Sequence, residues 1–475
     1  MDIKGNLKAG FNSSIIGGAT YSSIAGGENN IISGVTHGFI GGGFSNTVKG
    51  NYGYAEGRQT IVNADYGHAE GFNTTAGNYS HAEGYGSIAS GGQSHAQGRL
   101  TVASGSDSHA EGYTTTASGN YSHAEGSGTT ASGNGSHAEG YLTTASGNGS
   151  HAEGYLTKAS GNGSHAEGGS SISLISGGTA SGNGSHAEGY NTLASGQASH
   201  AEGVLTSATT VYSHAEGQST LASGTASHAE GYQATASGVY SHAEGNITKA
   251  IGDYSHSEGQ STTASGNTSH AEGYLTNAIG DKSHAEGYDT TASGAGSHSE
   301  GISTEANGSS SHSEGNSSIA NGDYSHAEGQ GSLANGSSSH SEGSQTQAIG
   351  DNSHAEGELT TAGGDYSHAE GKQTTASGQS SHSGGDSSIA SGLNSFIHSS
   401  GSTISGNRSA ILGGGSITGL TDDTVYVPDF VIKKTALVPT SSADSVGENG
   451  SITWDNTYFY WKANGQWLRV SGSTF

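Results

Sequence analysis

Residues 108–121 read Ser-His-Ala-Glu-Gly-Tyr-Thr-Thr-Thr-Ala-Ser-Gly-Asn-Tyr, and residues 122–135 open the same phrase again with Ser-His-Ala-Glu-Gly and close it with Thr-Thr-Ala-Ser-Gly-Asn-Gly. Twenty-three of the chain's 25 histidines fall in the second position of this fourteen-residue unit. His81, His95, His109, His123, His137, His151 and His165 are each fourteen apart, and a second series runs unbroken from His186 to His382. Two irregularities interrupt the count: a one-residue shortening between His68 and His81, and a seven-residue expansion between His165 and His186 that contains Ile172, Leu174 and Ile175. The expansion reads as a loop bulging from one turn. A period this short and strict marks a solenoid, in which each turn stacks on the next.

Composition agrees. With 84 glycines, 30% hydrophobic and 12% charged residues, the 475-residue chain lacks the side chains for a broad globular core, and without the repeat it would read as disordered. Fourteen residues make two short strands and two tight turns. Counting His as position zero, period-two alternation points Ser, Ala and Gly at minus one, one and three to one side and His and Glu at zero and two to the other. A second strand carries inward Thr at six and Ala at eight, and Ser-Gly-Asn or Ile-Gly-Asp at nine to eleven supplies the turn. Positions four, five, seven and twelve accept Tyr141, Leu142, Lys158, Asn191 and Gln233, so they read as solvent-facing. At about 4.8 Å per turn, the His turns predict a rod of roughly 110 Å.

The polar column is the candidate functional feature. Its members include His81 and Glu83, His109 and Glu111, His123 and Glu125, His137 and Glu139, His151 and Glu153, His186 and Glu188, and His270 and Glu272. Gln97 replaces one Glu, and Tyr54 stands in the His column of the first full repeat. Twenty-two repeat glutamates make up more than half of the 41 acidic residues, and carboxylates about 4.8 Å apart repel unless each has a cationic or hydrogen-bonding neighbour. His supplies that neighbour, which predicts a raised His pKa and a depressed Glu pKa. On that basis the formal net charge of -27 overstates the field. At both ends the column turns apolar, with Ile24 and Phe39 before the array and Phe396 and Leu412 after it, as expected of plugs that seal a polar seam between chains from water. The alternative is a solvated stripe.

The Ser-x-Ala-x-Gly register resembles the head repeats of trimeric autotransporter adhesins over roughly residues 15 to 420. That resemblance implies a homotrimeric, left-handed parallel β-roll whose two x positions face the threefold axis, here occupied by His and Glu where the family usually has aliphatic residues. The start, Met1-Asp2-Ile3-Lys4-Gly5-Asn6, shows no apolar signal segment, and neither a heptad stalk nor an amphipathic anchor follows the roll, so self-secretion is not expected. The flanks resemble tail-fibre and tail-tip proteins of bacteriophages instead. The segments are Asn-Ser-Ser-Ile-Ile-Gly-Gly at 12–18, Ser-Ala-Ile-Leu-Gly-Gly-Gly at 409–415, Asp-Asp-Thr-Val-Tyr-Val-Pro at 422–428 and the aromatic ending from Gly450.

Four parts are therefore expected: N-terminal Gly-Gly-type turns and an attachment segment (1–53), the shaft (54–392), apolar closing turns (393–420) and a C-terminal aromatic β domain (421–475). The last part holds Pro428, Pro439 and all three tryptophans. Its alternating aromatics around Asp455-Asn456 and Asn464-Gly465 predict β-hairpins. Trp454, Tyr458, Tyr460, Trp461 and Trp467 are candidate tip residues for a host-surface glycan or protein, the competing role being a foot that trimerises the chains and sets their register.

Other functions find little support. There is no Cys, nucleophile elbow, His-Glu-x-x-His motif or phosphate-binding loop, so no enzyme is expected. Three His around an axis could bind zinc with Glu as a further ligand, but the Glu beside each His satisfies it directly, and neither metal nor cofactor is expected. The Gly-Gly-x-Gly-x-Asp calcium repeat is absent, and the outward Thr array is too ragged for ice binding. The acidic balance excludes nucleic acid, and no hydrophobic span supports membrane insertion. The expected protein is a trimeric fibre, virion-borne or extracellular, docking on another tail or baseplate protein through residues 1–20. A self-assembling extracellular filament is the alternative.

Overall fold

In a computed structural model, which describes residues 5–169, 176–428, 452–454 and 458–471, the chain is an all-β parallel solenoid of about thirty turns of about fourteen residues. A small antiparallel three-stranded sheet lies near the C-terminus, and there is no helix among the described residues. The chain forms two units, residues 1–359 and 360–475.

One turn of the first unit stands for the rest. The strand His109–Tyr113 is followed by Thr114 in the left-handed region (φ 53°), the short strand Thr116–Ala117, and a turn ending at Tyr121, again left-handed (φ 59°). The next turn lies in register, His109 opposite His123 and Ala117 opposite Ala131. The His109 N–H donates to the Ser122 carbonyl at 2.9 Å, and the Ser118 N–H to the Ala131 carbonyl at 2.9 Å. These bonds satisfy backbone groups that a thin coil could not satisfy within itself. Asn at the turn adds a side-chain ladder: the Asn120 N–H donates to Asn134 Oδ1 at 3.1 Å, and the Asn134 N–H to Asn148 Oδ1 at 3.0 Å.

The interior is narrow. Ser108, Ala110, Thr115 and Ala117 are each at most 2% exposed, as the alternation predicts. Many of the inward Ser are tied down within their turn, as Ser122 Oγ donates to the Gly119 carbonyl at 2.6 Å. Glycine at position three departs from expectation. Gly112 does not point inward; it is exposed, with φ +108°, and a Cβ there would lie 2.2 Å from the Gly126 carbonyl oxygen. Gly119 is excluded from bearing a side chain more severely, its Cβ falling 1.9 Å from the Gly133 oxygen. Close backbone approach between turns, rather than core size, demands glycine at both positions.

In the first turns of unit 1 the interior itself enlarges. Ile24 and Ile40 precede Ala55 and Ala69 in one inward column, and Ile32, Val48 and Val62 precede Ala76 in the other. Unit 2 does the same, with Ile397 and Ile411 after Ser383, and Ile404 after Ala390. All of these isoleucines and valines are fully buried. A larger apolar side chain buries more surface per turn than Ala or Ser does.

Both irregularities leave the ladder intact. The shortening falls in the turn between Ala76 and His81, with His81 still opposite His68. Across the expansion, His165 pairs with His186 and Lys158 with Thr179, in keeping with a loop; Ile172, Leu174 and Ile175 lie outside the described residues. In the C-terminal sheet, Ile452–Trp454, Tyr458–Ala463 and Gln466–Ser471 pair antiparallel. Asn464 and Gly465 turn the second hairpin with φ 48° and 74°, the two positive values that a type I′ turn requires. Asp455-Asn456 lies outside the described residues.

Candidate functional site: a stacked histidine and glutamate face

Because every turn repeats in register, like side chains land on like. The His109, His123, His137 and His151 rings stack with centroids 4.8 Å apart and planes within 2–3° of parallel. His186 stacks between His165 and His200, and His270 between His256 and His284, at the same 4.8 Å. Two residues along the same strand, Glu shares the face. Nε2 to Oε2 separations within a turn are 3.9 Å for His81 and Glu83, 3.8 Å for His109 and Glu111, and 3.8 Å for His123 and Glu125. The corresponding values are 3.7 Å for His137 and Glu139, 3.6 Å for His151 and Glu153, and 3.7 Å for His270 and Glu272. Glu188 continues the column beside His186. These separations are longer than hydrogen bonds and would be ion pairs only with His protonated. The imidazoles are about 36% exposed, yet their Nε2 atoms are buried and make no hydrogen bond, among them those of His81, His109, His186 and His270. Beside this face the glutamates and the glycines at position three, such as Glu70, Gly71, Glu83 and Gly84, line an open groove.

The charge state differs from the expectation of a cationic His column. The pKa values of His95, His109, His137, His151, His186, His214, His242, His270 and His326 are lowered, first by burial and then by stacked neighbouring histidines. At His109, Glu111 and Glu125 pull the other way, each less strongly than burial or His123. Protonating a stack would place like charges one turn apart, so in these nine histidines burial and stacking both favour the neutral ring. Two carboxyls move upward. Glu139 is pushed up to about 7, first by its hydrogen bond with Glu125 and then by burial. Glu167 is also pushed up to about 7, first by burial and then by hydrogen bonding with Glu153. Glu125, accepting from Glu111 and Glu139, is held below its ordinary value.

Of the four expected plugs, Phe39 and Phe396 stand in the His column, Phe39 opposite Tyr54 and Phe396 opposite His382. Leu412 stands in the Glu column, opposite His398, and is 47% exposed. Ile24 is a correction. The register runs Leu7, Ser23, Phe39, Tyr54, His68, so Ser23 holds the His position and Ile24 is a fully buried interior residue.

The tip aromatics split by strand alternation. Tyr460 at 7% and Trp467 at 4% exposure are buried and unavailable as surface contacts, with Thr453 and Lys462 beside them on the same face. Tyr458 lies on that face under Arg469, whose Cζ is 4.5 Å from the ring centroid. Trp454 and Trp461 are half-buried on the opposite face, where they pair with Phe459 and with Ile452 and Leu468. Phe459 and Leu468 are exposed, and the sequence reading passed over both. Strand alternation counted from Tyr460 would have placed them.

Outward columns also stack. Arg58 lies between Phe44 and Phe72, at 5.8 and 5.4 Å from their centroids, and Arg99 between Tyr85 and Tyr113, at 5.6 and 5.3 Å. Tyr21, His37, Tyr52, Tyr66 and Tyr79 form a second ladder with centroids 4.6–5.3 Å apart. Aligning the repeats by column exposes both.

Residues 82–108, 96–122, 110–136, 215–241, 278–297, 313–339, 327–353 and 369–395 match the YadA head domain repeat, together just over a third of the chain. No curated protein sequence matches the chain significantly. These repeats, with the solenoid they build, point to an adhesin-like structural protein of a surface or extracellular setting; such repeats are typically homotrimeric. Among the described residues no helix is long and apolar enough to cross a membrane.

Proposed function

We propose that this chain is the shaft and tip of a homotrimeric, non-enzymatic attachment fibre, a bacteriophage tail fibre or spike, in which the His and Glu columns of three left-handed rolls face a common axis. One observation supports this reading above the others: turns that carry the His and Glu face match the YadA head domain repeat, and such repeats are typically homotrimeric. Chains meeting along this face would cover the imidazoles and carboxylates that a single chain leaves about a third exposed. Phe39, Phe396 and Leu412 close the seam at its two ends. The open face of the C-terminal sheet, with Trp454, Trp461, Phe459 and Leu468, then serves either as the contact for a host-surface glycan or protein or as the trimerising foot. The first twenty residues dock the fibre on a second tail protein.

Cryo-electron microscopy of the full-length chain, with mass photometry, tests this. Rods of one length with three chains each and histidines inside are expected. Monomers with the His face in solvent would overturn the proposal, and filaments of indefinite length would replace it with a self-assembling extracellular polymer.

A further inference from the structure

In unit 2 the turn beginning at His382 departs from the repeat in one respect: Gly384 stands where the column carries Glu. Two side chains from adjacent turns reach into the space left. Glu370 comes from the turn before, and His398, one of only two histidines outside the His column, comes from the Glu position of the turn after. A Cβ on Gly384 would lie 2.7 Å from His398 Nδ1 and 2.9 Å from Glu370 Oε1, so both donors close around the missing side chain. His382 completes the group. Its ring is turned 69° from that of His368, out of the parallel stack, and its Nε2 lies 3.3 Å from Glu370 Oε1. His398 Nδ1 lies 3.5 Å from the same oxygen.

We propose that Glu370, His382 and His398 bind a single borderline divalent cation of the zinc class. Zinc to nitrogen and zinc to carboxylate bonds of about 2.0–2.2 Å in tetrahedral geometry place neighbouring ligand atoms roughly 3.4 Å apart, and the two separations here bracket that value. Two histidines and one carboxylate are a donor set suited to zinc and its neighbours rather than to calcium or magnesium. The regular column holds looser groups of the same composition, such as His68, Glu70 and His81 with ligand atoms within 4.8 Å of one another. The unit 2 group differs in a ring turned out of the stack and in two histidines from different turns at 3.3 and 3.5 Å from one carboxylate oxygen. In the single chain, side-chain exposures of 27% for His382, 30% for Glu370 and 60% for His398 leave room for water as fourth ligand. A bound ion would clamp three successive turns.

The test titrates the full-length, chelator-treated chain with cobalt(II) chloride, following the visible absorption of tetrahedral cobalt, and counts zinc by equilibrium dialysis. One equivalent per chain should bind first and give the tetrahedral band. His398→Ala, at an exposed position, and the isosteric Glu370→Gln should each weaken that equivalent at least tenfold while circular dichroism stays unchanged. His270→Gln in the regular column should leave it intact. Should the first equivalent survive both unit 2 substitutions, fall equally with His270→Gln, or fail to form, the proposal is wrong.

Discussion

A solenoid turn and the C-terminal hairpin use glycine for different reasons, and the contrast explains how each region is held. Gly119 cannot bear a side chain because the neighbouring turn's carbonyl fills the space, 1.9 Å from where a Cβ would sit. Gly465 is needed for its φ of +74° alone, with nothing within 4 Å of an added Cβ. In the solenoid, backbone packs on backbone, and each turn is stabilised by its two neighbours. In the hairpin, aromatic side chains bury one face and the turn only reverses the chain.

The largest effect should separate the two regions on this point. Gly119→Val should cost about 3–5 kcal/mol and open the surrounding turns, seen as loss of hydrogen-exchange protection over residues near 105–133. Gly465→Ala should cost only about 1 kcal/mol, read from the thermal midpoint of the hairpin. Equal costs would mean that solenoid turns can slide apart to admit a side chain.

A pH series sharpens the same comparison, since all three tryptophans lie in residues 454–467 and no column histidine does. A His whose folded pKa is lowered binds fewer protons folded than unfolded, so its stabilisation is complete above the ordinary His value near 6.5 and is lost as pH falls through the folded pKa. Glu139 and Glu167, pushed up to about 7, act in the opposite sense, losing their contribution as pH rises from the ordinary carboxylate range through 7. Eleven lowered histidines outnumber these two carboxyls. The solenoid's melting midpoint, followed by far-ultraviolet circular dichroism, should therefore fall between pH 7 and 5 while the tryptophan fluorescence transition holds. A midpoint that rises on acidification would restore the cationic column.

The smallest effect concerns the interior. Where Ser at position one faces Thr at position six the two hydroxyls meet, as Ser257 meets Thr262 at 2.7 Å; beside Ala110 the Thr115 hydroxyl is buried without a partner. Ala110→Ser should recover about 1 kcal/mol in chemical denaturation. A loss instead would mean the Ala column has no room even for one oxygen.

Much of this was legible in the repeat. The turn length, the parallel stacking, inward Ser, Ala and Thr, and a shared His and Glu face follow from a strict fourteen-residue period with alternation of two. Gly112 was misplaced because alternation assumes extended φ, and a φ of +108° breaks it. Ile24 was misassigned because the apolar first turns vary in length, sixteen residues separating Ser23 from Phe39, so counting by fourteen slips the column. The split of the tip aromatics depended on which face of a three-stranded sheet is covered.

By itself, then, the sequence determined the repeat, the strand direction and which side chains form columns, because identical turns can stack in only one register that superimposes them all. Tertiary structure alone decided the direction in which the shifted histidines and glutamates of those columns move. Whether a His is protonated depends on how deeply the neighbouring turns bury it and how near they bring the next ring. The convergence of Glu370, His382 and His398 was equally hidden, because those three residues meet only once adjacent turns are stacked and Gly384 leaves a gap between them.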